Sequence, residues 1–218
     1  MSITICDRNS IAVELLRQGN YLQSQAVLRD ALANLASSLD LGTPTLPSPA
    51  PQVPATPVVR IPAITMNICT GDTSEATFAM YKKAFLVGSE EEDEVVLSLV
   101  LFYNMGLVSH ALGCITGKTA YLSRALRLYQ KVYVLLSEHG QGSAEIALLL
   151  LATCNNMGHI HAALLDAQAM QACHRNLQSI LSTYQASGLL DPLDLDFFFM
   201  ALVLGNSEQG KIPMAPAA

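Results

Sequence analysis

The chain has 218 residues, which is enough for one or two domains with a sizeable core. Hydrophobic residues make up 51% of it and charged residues only 14%, a balance expected where helices are stacked between neighbouring helices. The net charge is -6 and the Lys and Arg residues form no cluster. This argues against nucleic-acid binding, which depends on basic side chains that contact phosphates.

The five cysteines form no CxxC pair, and their odd number leaves one over in any disulfide scheme. A reducing compartment is the simpler interpretation. Asp7 and Arg8 stand where a signal peptide needs apolar residues. We therefore expect a cytoplasmic protein, with the nucleus left open.

One segment has the length and composition of a membrane-spanning helix. The residues from Val95 to Ile115 include no Asp, Glu, Lys or Arg. Asn104, Ser109 and His110 lie within it, and such polar residues favour the core helix of a helical array. The sequence thus predicts no membrane association.

Residues 1–41 are expected to form a helical hairpin, because two helical patterns meet at Gly19 and Asn20. Seven prolines then fall between residues 42 and 62, and since proline fixes φ and removes a backbone donor, they predict an extended linker. Residues 58–87 are ambiguous. Val58 to Ile64 alternate like a strand, whereas Phe78 to Val87 fit a helix equally well, so a short β-hairpin stays open here.

Residues 63–204 are expected to be the main helical domain. Its clearest amphipathic helix covers Tyr121 to Leu136, and Cys114 to Ala120 has the composition of an inserted loop before it. Asp191 and Pro192 then supply a cap and a proline at the first helical position, and a short last helix is predicted over Phe197 to Leu204. Residues 205–218 are expected to be a disordered tail.

An internal repeat links two long apolar helices. Asn104-Met105-Gly106 recurs as Asn156-Met157-Gly158, each followed by an amphipathic helix. Glycine inside a helix costs about 0.5–1 kcal/mol relative to alanine, so its repetition indicates close approach of a partner helix. The N-terminal hairpin carries small, apolar and aromatic residues in the order Ala12, Leu15, Gly19, Tyr21, Leu28 and Ala31.

These motifs resemble the tetratricopeptide-repeat family, with strings close to those of kinesin-light-chain-like repeats. The resemblance covers roughly residues 7–39 and 94–184 and implies an all-α array of antiparallel helix hairpins forming a short superhelix. Members of this family hold peptides in a concave groove. The resemblance places Asn104, Ser109, Asn156 and His161 in that groove, while a buried hydrogen bond between helices is an equal alternative for the two asparagines. Val100 and Ala152 lack the basic side chains of a clamp for chaperone tails.

No pattern of catalytic residues is found in the sequence. It has no G-x-S-x-G elbow and no H-x-x-x-H, HExxH or CxxC spacing. Its acidic residues, such as Asp166 and Asp194, fall at predicted helix ends, where capping is the expected role. We therefore expect neither an enzyme nor a metal or cofactor site.

Two functions remain open at this stage. The first is a non-catalytic module that binds a protein or peptide in its groove. The second is a structural subunit, or homo-oligomer, that associates through an exposed apolar helical face. The mass of the protein in solution distinguishes them, because only the second requires stable association of the purified chain.

Overall fold

A computed structural model describes residues 3–40, 61–66, 68, 79–87, 94–139, 144–185 and 190–209. The described chain is mostly helical, as expected, with its helices packed as sequential antiparallel pairs. It contains seven helices and a small two-stranded antiparallel sheet. In chain order the elements are α1 Ile5–Arg17, α2 Tyr21–Asp40, β1 Ala63–Thr65, β2 Lys83–Phe85, α3 Glu94–Thr116, α4 Thr119–His139, α5 Ala144–Ala163, α6 Ala167–Gln185 and α7 Pro192–Gln209.

The N-terminal hairpin is set by its capping and turn residues. The Thr4 hydroxyl oxygen accepts a hydrogen bond from Asp7 N–H, and the Asp7 carboxylate accepts one from Thr4 N–H, which satisfies donors at the start of α1. Gly19 takes a positive φ of 78° between α1 and α2, a conformation that glycine adopts without strain. Ser24 on α2 then donates to the carbonyl of Ala12 at 2.7 Å, so small residues bring the two helices together.

The two strands are the β-hairpin that the sequence left open for residues 58–87. Ile64 pairs with Ala84 in an antiparallel register, and the helical alternative for Phe78 to Val87 is wrong over residues 79–87, which contain no helix and include the strand Lys83–Phe85. Most of the predicted linker, residues 42–60, lies outside the described residues. The end of that range, Ile61 and Pro62, leads into β1.

Helix α3 is the apolar segment whose length is that of a membrane span. Within the described residues it is the one helix that is long and apolar enough to cross a membrane, and 83% of its most apolar window is buried inside the protein. Its neighbours are α2, α4 and β2. Helix α3 is therefore a core helix of the described structure.

Two boundaries differ from those expected. The loop predicted over Cys114 to Ala120 is shorter, because α3 continues to Thr116 and α4 begins at Thr119; Gly117, at a positive φ of 67°, makes the turn. The last helix is longer than Phe197 to Leu204, although its predicted cap at Asp191 and first helical position at Pro192 are confirmed. Asp191 accepts a hydrogen bond from Leu193 N–H at 2.8 Å and starts α7 at Pro192. It ends at Gln209, within the range predicted to be the tail.

Candidate functional site

The candidate site is built around residues 79–87, which we call the inner segment. Its even-numbered residues pair with β1: Met66 N–H donates to Lys82 O at 2.7 Å and Leu86 N–H donates to Pro62 O at 2.8 Å. In an extended strand, successive residues direct their backbone groups to opposite edges. The odd-numbered residues therefore direct theirs away from β1, towards the helices.

Asn104 on α3 receives one of these odd-numbered residues. Its Oδ1 accepts from Phe85 N–H at 3.0 Å, and its Nδ2 donates to Phe85 O at 2.7 Å. Asn9 on α1 donates to the same carbonyl at 3.1 Å, and Asn104 Nδ2 also donates to Asn9 Oδ1 at 2.9 Å. Asn104 thus pairs with the strand as a neighbouring strand would.

Asn156 on α5 repeats this arrangement one repeat later. Its Oδ1 accepts from Tyr81 N–H at 2.8 Å and its Nδ2 donates to Tyr81 O at 3.1 Å. The adjacent Asn155 donates to Ala79 O at 2.8 Å. The two equivalent asparagines of the internal repeat therefore bind residues four positions apart in the inner segment, and their amides contact only its backbone atoms.

The asparagine contacts are buried, which makes them energetically important. Asn9, Asn104, Asn155 and Asn156 have no exposed surface. A buried backbone N–H or C=O that loses its partner costs about 1–3 kcal/mol. Together the hydrogen bonds of these four asparagines hold the backbone of the inner segment in place.

Aromatic rings surround these contacts. Phe85 packs edge-on against Tyr103 with centroids 4.9 Å apart, and Tyr103 lies 5.5 Å from Tyr129. The hydroxyl oxygens of Tyr103 and Tyr129 are each 3.2 Å from Asn156 Nδ2. Burial raises the pKa of both tyrosines, so at neutral pH the hydroxyls stay protonated and the network carries no charge.

A second fixing point joins the inner segment to α7. Asp194 accepts a hydrogen bond from the Tyr81 hydroxyl at 2.9 Å and forms an ion pair with Lys83 Nζ at 2.6 Å. The Tyr81 ring also stacks on Phe198 at 5.0 Å. Burial, followed by the Asp194 charge, raises the pKa of Tyr81. Asp194 lies in the first turn of α7, at a helix end as expected. It is 4% exposed and in addition binds two side chains of the inner segment, a role that the sequence did not predict.

A cleft of about 410 Å³ opens beside this ion pair. It is lined by residues of β1, the inner segment and α7, among them Thr65, Met80, Lys83, Leu193 and Phe197. The Lys83 side chain is 26% exposed. The N-terminal part of the inner segment is thus the part next to open space.

The other two predicted groove residues lie elsewhere. Ser109 donates to Met105 O at 2.9 Å and accepts from Gln25 Nε2 at 3.3 Å, which joins α3 to α2. His161 is 8% exposed and its Nδ1 lies 3.4 Å from Asp166 Oδ2. All four predicted residues are buried, so a separate peptide would reach Asn104 and Asn156 only in place of the inner segment. Contact with a partner stays a prediction.

Several residues of this site were not predicted from the sequence. They are Asn9, Asn155, Tyr81 and, in its observed role, Asp194. A signal was available for Asn155, since two adjacent amides within the apolar run of α5 require buried partners. Asp194 gave no such signal, because an acidic residue in a first helical turn is ordinarily explained by the helix dipole.

The structure also brings together three potential metal ligands, although their spacing along the chain suggested no metal site. These are His110 and Cys114 on α3 and His159 on α5, with one ligand atom from each lying within 4.8 Å of the others. His110 Nε2 is 2.9 Å from His159 Nδ1. Within the described residues, this is the group of three that could hold an ion.

Comparison with known proteins gives no match to this chain among protein-family models, curated proteins or solved structures.

Proposed function

We propose that this protein is a non-catalytic, tetratricopeptide-repeat-like module that binds an extended segment of a partner protein across α1, α3 and α5. The observation that carries the proposal is the paired recognition of Phe85 by Asn104 and of Tyr81 by Asn156. A primary amide can donate to and accept from one residue of an extended chain at the same time. Such contacts fit any peptide in this conformation, as in other forms of strand recognition.

The repeat architecture is supported by the packing at Gly106. The Tyr129 ring of α4 lies directly against this glycine of α3, so the two helices of the pair are close where the Asn-Met-Gly motif occurs. The same motif carries the asparagine that faces the inner segment. Close helix packing and strand binding therefore depend on neighbouring residues of one repeated motif.

The inner segment defines the chemistry of the partner. It supplies two aromatic residues, Tyr81 and Phe85, on either side of Lys83, which is bound by Asp194. A partner segment that replaces it would carry an aromatic residue, a basic residue two positions later and another aromatic residue two positions after that. Only molecules in which the inner segment is displaced can bind the partner. The apparent affinity is therefore the intrinsic affinity multiplied by the fraction of such molecules.

A peptide with the sequence of residues 79–87 tests the proposal. We would measure fluorescence anisotropy of the labelled peptide on adding the full chain and its Lys83→Gln variant. The variant loses the ion pair within the chain, whereas the added peptide keeps its lysine for Asp194. Because Lys83 is partly exposed, we expect about tenfold tighter binding by the variant, equivalent to about 1.4 kcal/mol.

Two controls make this result specific. Lys82→Gln changes the adjacent lysine, which leaves the Lys83–Asp194 pair intact and should bind the peptide as the unaltered chain does. A peptide with alanine in place of both aromatic residues should bind neither protein. Failure of the Lys83→Gln chain to bind the unaltered peptide, at unchanged helicity, would contradict the proposal.

A second candidate function rests on α7. Leu193, Met200 and Leu204 are 76%, 57% and 42% exposed, and their spacing of seven and four residues puts them on one face of the helix. An exposed apolar helix face suits a structural subunit that associates with a second copy. Light scattering should then give the mass of a dimer for the unaltered chain and of a monomer for Met200→Glu.

A further inference from the structure

Three side chains near one end of α3 come together outside the inner segment. His110 and Cys114 are four residues apart, which places them on one face of the helix. His159 approaches them from α5. Because these residues belong to two different repeats, they form no short metal-binding motif in the sequence.

Their geometry is close to that of a metal site. His110 Nε2 and His159 Nδ1 are 2.9 Å apart, while two nitrogens bound tetrahedrally to zinc at about 2.0–2.1 Å stand about 3.3 Å apart. The rings need to separate by only a few tenths of an ångström. The three ligand atoms lie within 4.8 Å of one another, and a sulfur bound at about 2.3 Å would stand about 3.6 Å from each nitrogen. The sulfur and the nitrogens therefore have to approach by at most about 1.2 Å on binding the ion.

Burial also separates these side chains from water. His110 has no exposed surface, and its Nδ1 is buried without a hydrogen-bond partner in the described part of the chain. His159 is 8% exposed. A buried imidazole that leaves hydrogen-bonding capacity unused requires an explanation, and a bound ion in its neighbourhood is one.

We propose that His110, Cys114 and His159 bind a zinc ion, with two imidazole nitrogens and one thiolate as ligands. Nitrogen and sulfur ligands favour zinc over magnesium or calcium, which prefer oxygen. Binding releases the thiol proton of Cys114 to solvent. The ion connects α3 to α5 and thus the two Asn-Met-Gly repeats, and its fourth position is available to water or another ligand.

Cobalt(II) provides a direct test because it takes the place of zinc and absorbs visible light. The full chain, first treated with a chelator, would be titrated with cobalt. We expect one equivalent to produce tetrahedral d–d bands and a thiolate charge-transfer band, and zinc to abolish both. Zinc should also raise the midpoint of thermal unfolding, since an ion that binds only the folded state stabilises it.

The variants assign the ligands. Cys114→Ser should lose the thiolate band and the stabilisation by zinc, and His159→Gln should bind at least about tenfold more weakly, the lower limit for loss of even an indirect contact to a metal. Cys6→Ser removes a half-buried thiol from α1 and should bind cobalt as the unaltered chain does. Circular dichroism checks the fold of each variant. An unaltered chain without the thiolate band, or a Cys114→Ser variant that retains it, would overturn the proposed set of ligands.

Discussion

Gly106 on α3 lies so close to Tyr129 on α4 that a Cβ atom at this glycine would be 2.8 Å from Cε1 of the ring. The ring cannot easily move away, because it has no exposed surface and its hydroxyl lies 3.2 Å from Asn156 Nδ2. Gly106→Ala gains about 0.5–1 kcal/mol of helix propensity. Overpacking typically costs about 1–3 kcal/mol. We therefore expect a net loss of about 1–2 kcal/mol in the free energy of unfolding, measured by urea denaturation.

A double-mutant cycle separates this clash from other effects of the substitution. In a Tyr129→Leu background the ring is gone, so adding Gly106→Ala should cost nothing or stabilise the protein. Equal losses in both backgrounds would mean that the Tyr129 ring does not require the glycine.

The repeated glycine could be interpreted from the sequence because its cost in a helix demands a packing partner. The two asparagines could also be selected from the sequence, because they recur in the internal repeat and the family resemblance places them in a groove that binds peptides. That the contact is the chain's own strand could not be predicted. Phe78 to Val87 fit both periodicities, and the choice depends on contacts with residues more than seventy positions away, such as Tyr81 with Asn156. The approach of His159 to His110 could not be predicted either, because these residues are 49 positions apart in the sequence.

Asn104→Ala should be strongly destabilising. The substitution leaves the N–H of Phe85 without its acceptor, removes a donor from the Phe85 carbonyl, and opens a cavity in the core. We expect a loss of about 2–4 kcal/mol in the free energy of unfolding. Asn176→Ala is the matched control, because this exposed amide donates only at the surface, to the Tyr133 hydroxyl at 3.2 Å; it should change stability by less than about 0.5 kcal/mol. Similar losses in the two variants would contradict the burial of Asn104.

Asp194→Ala should loosen the inner segment from α7. It removes the shared acceptor of the Tyr81 hydroxyl and the Lys83 ammonium group, leaving the buried hydroxyl without its partner. We expect a loss of about 2–3 kcal/mol in the free energy of unfolding. Most of it comes from the hydrogen bond between Tyr81 and the buried carboxylate, because Lys83 is partly exposed and can turn to solvent. Thermal or urea unfolding measures it. Asp196→Ala, on the exposed side of the same helix, should have little effect.

The thiol of Cys173 gives a prediction that depends on pH. Burial, followed by the charge of Asp166, raises the pKa of Cys173 from 9.0 to about 11. Thiolate is the reactive form, and it accumulates as pH rises towards the pKa. At pH 8 the thiolate fraction should be about 100-fold lower than for an unperturbed thiol, and the rate of alkylation by iodoacetamide should rise about tenfold per pH unit up to pH 10. Peptide mapping by mass spectrometry follows this one residue.

The denatured chain is the control for this experiment, because every thiol reacts freely in urea and its rate should be half-maximal near pH 9, the unperturbed pKa. The folded chain should still show a tenfold rise per pH unit at this pH for Cys173, which is 6% exposed. Circular dichroism at pH 10 establishes that the helices persist over the range measured. A half-maximal rate near pH 9 in the folded chain would mean that Cys173 is solvated. The packing of α6 against α5 and α7 would then have to be looser at this position than the structure describes.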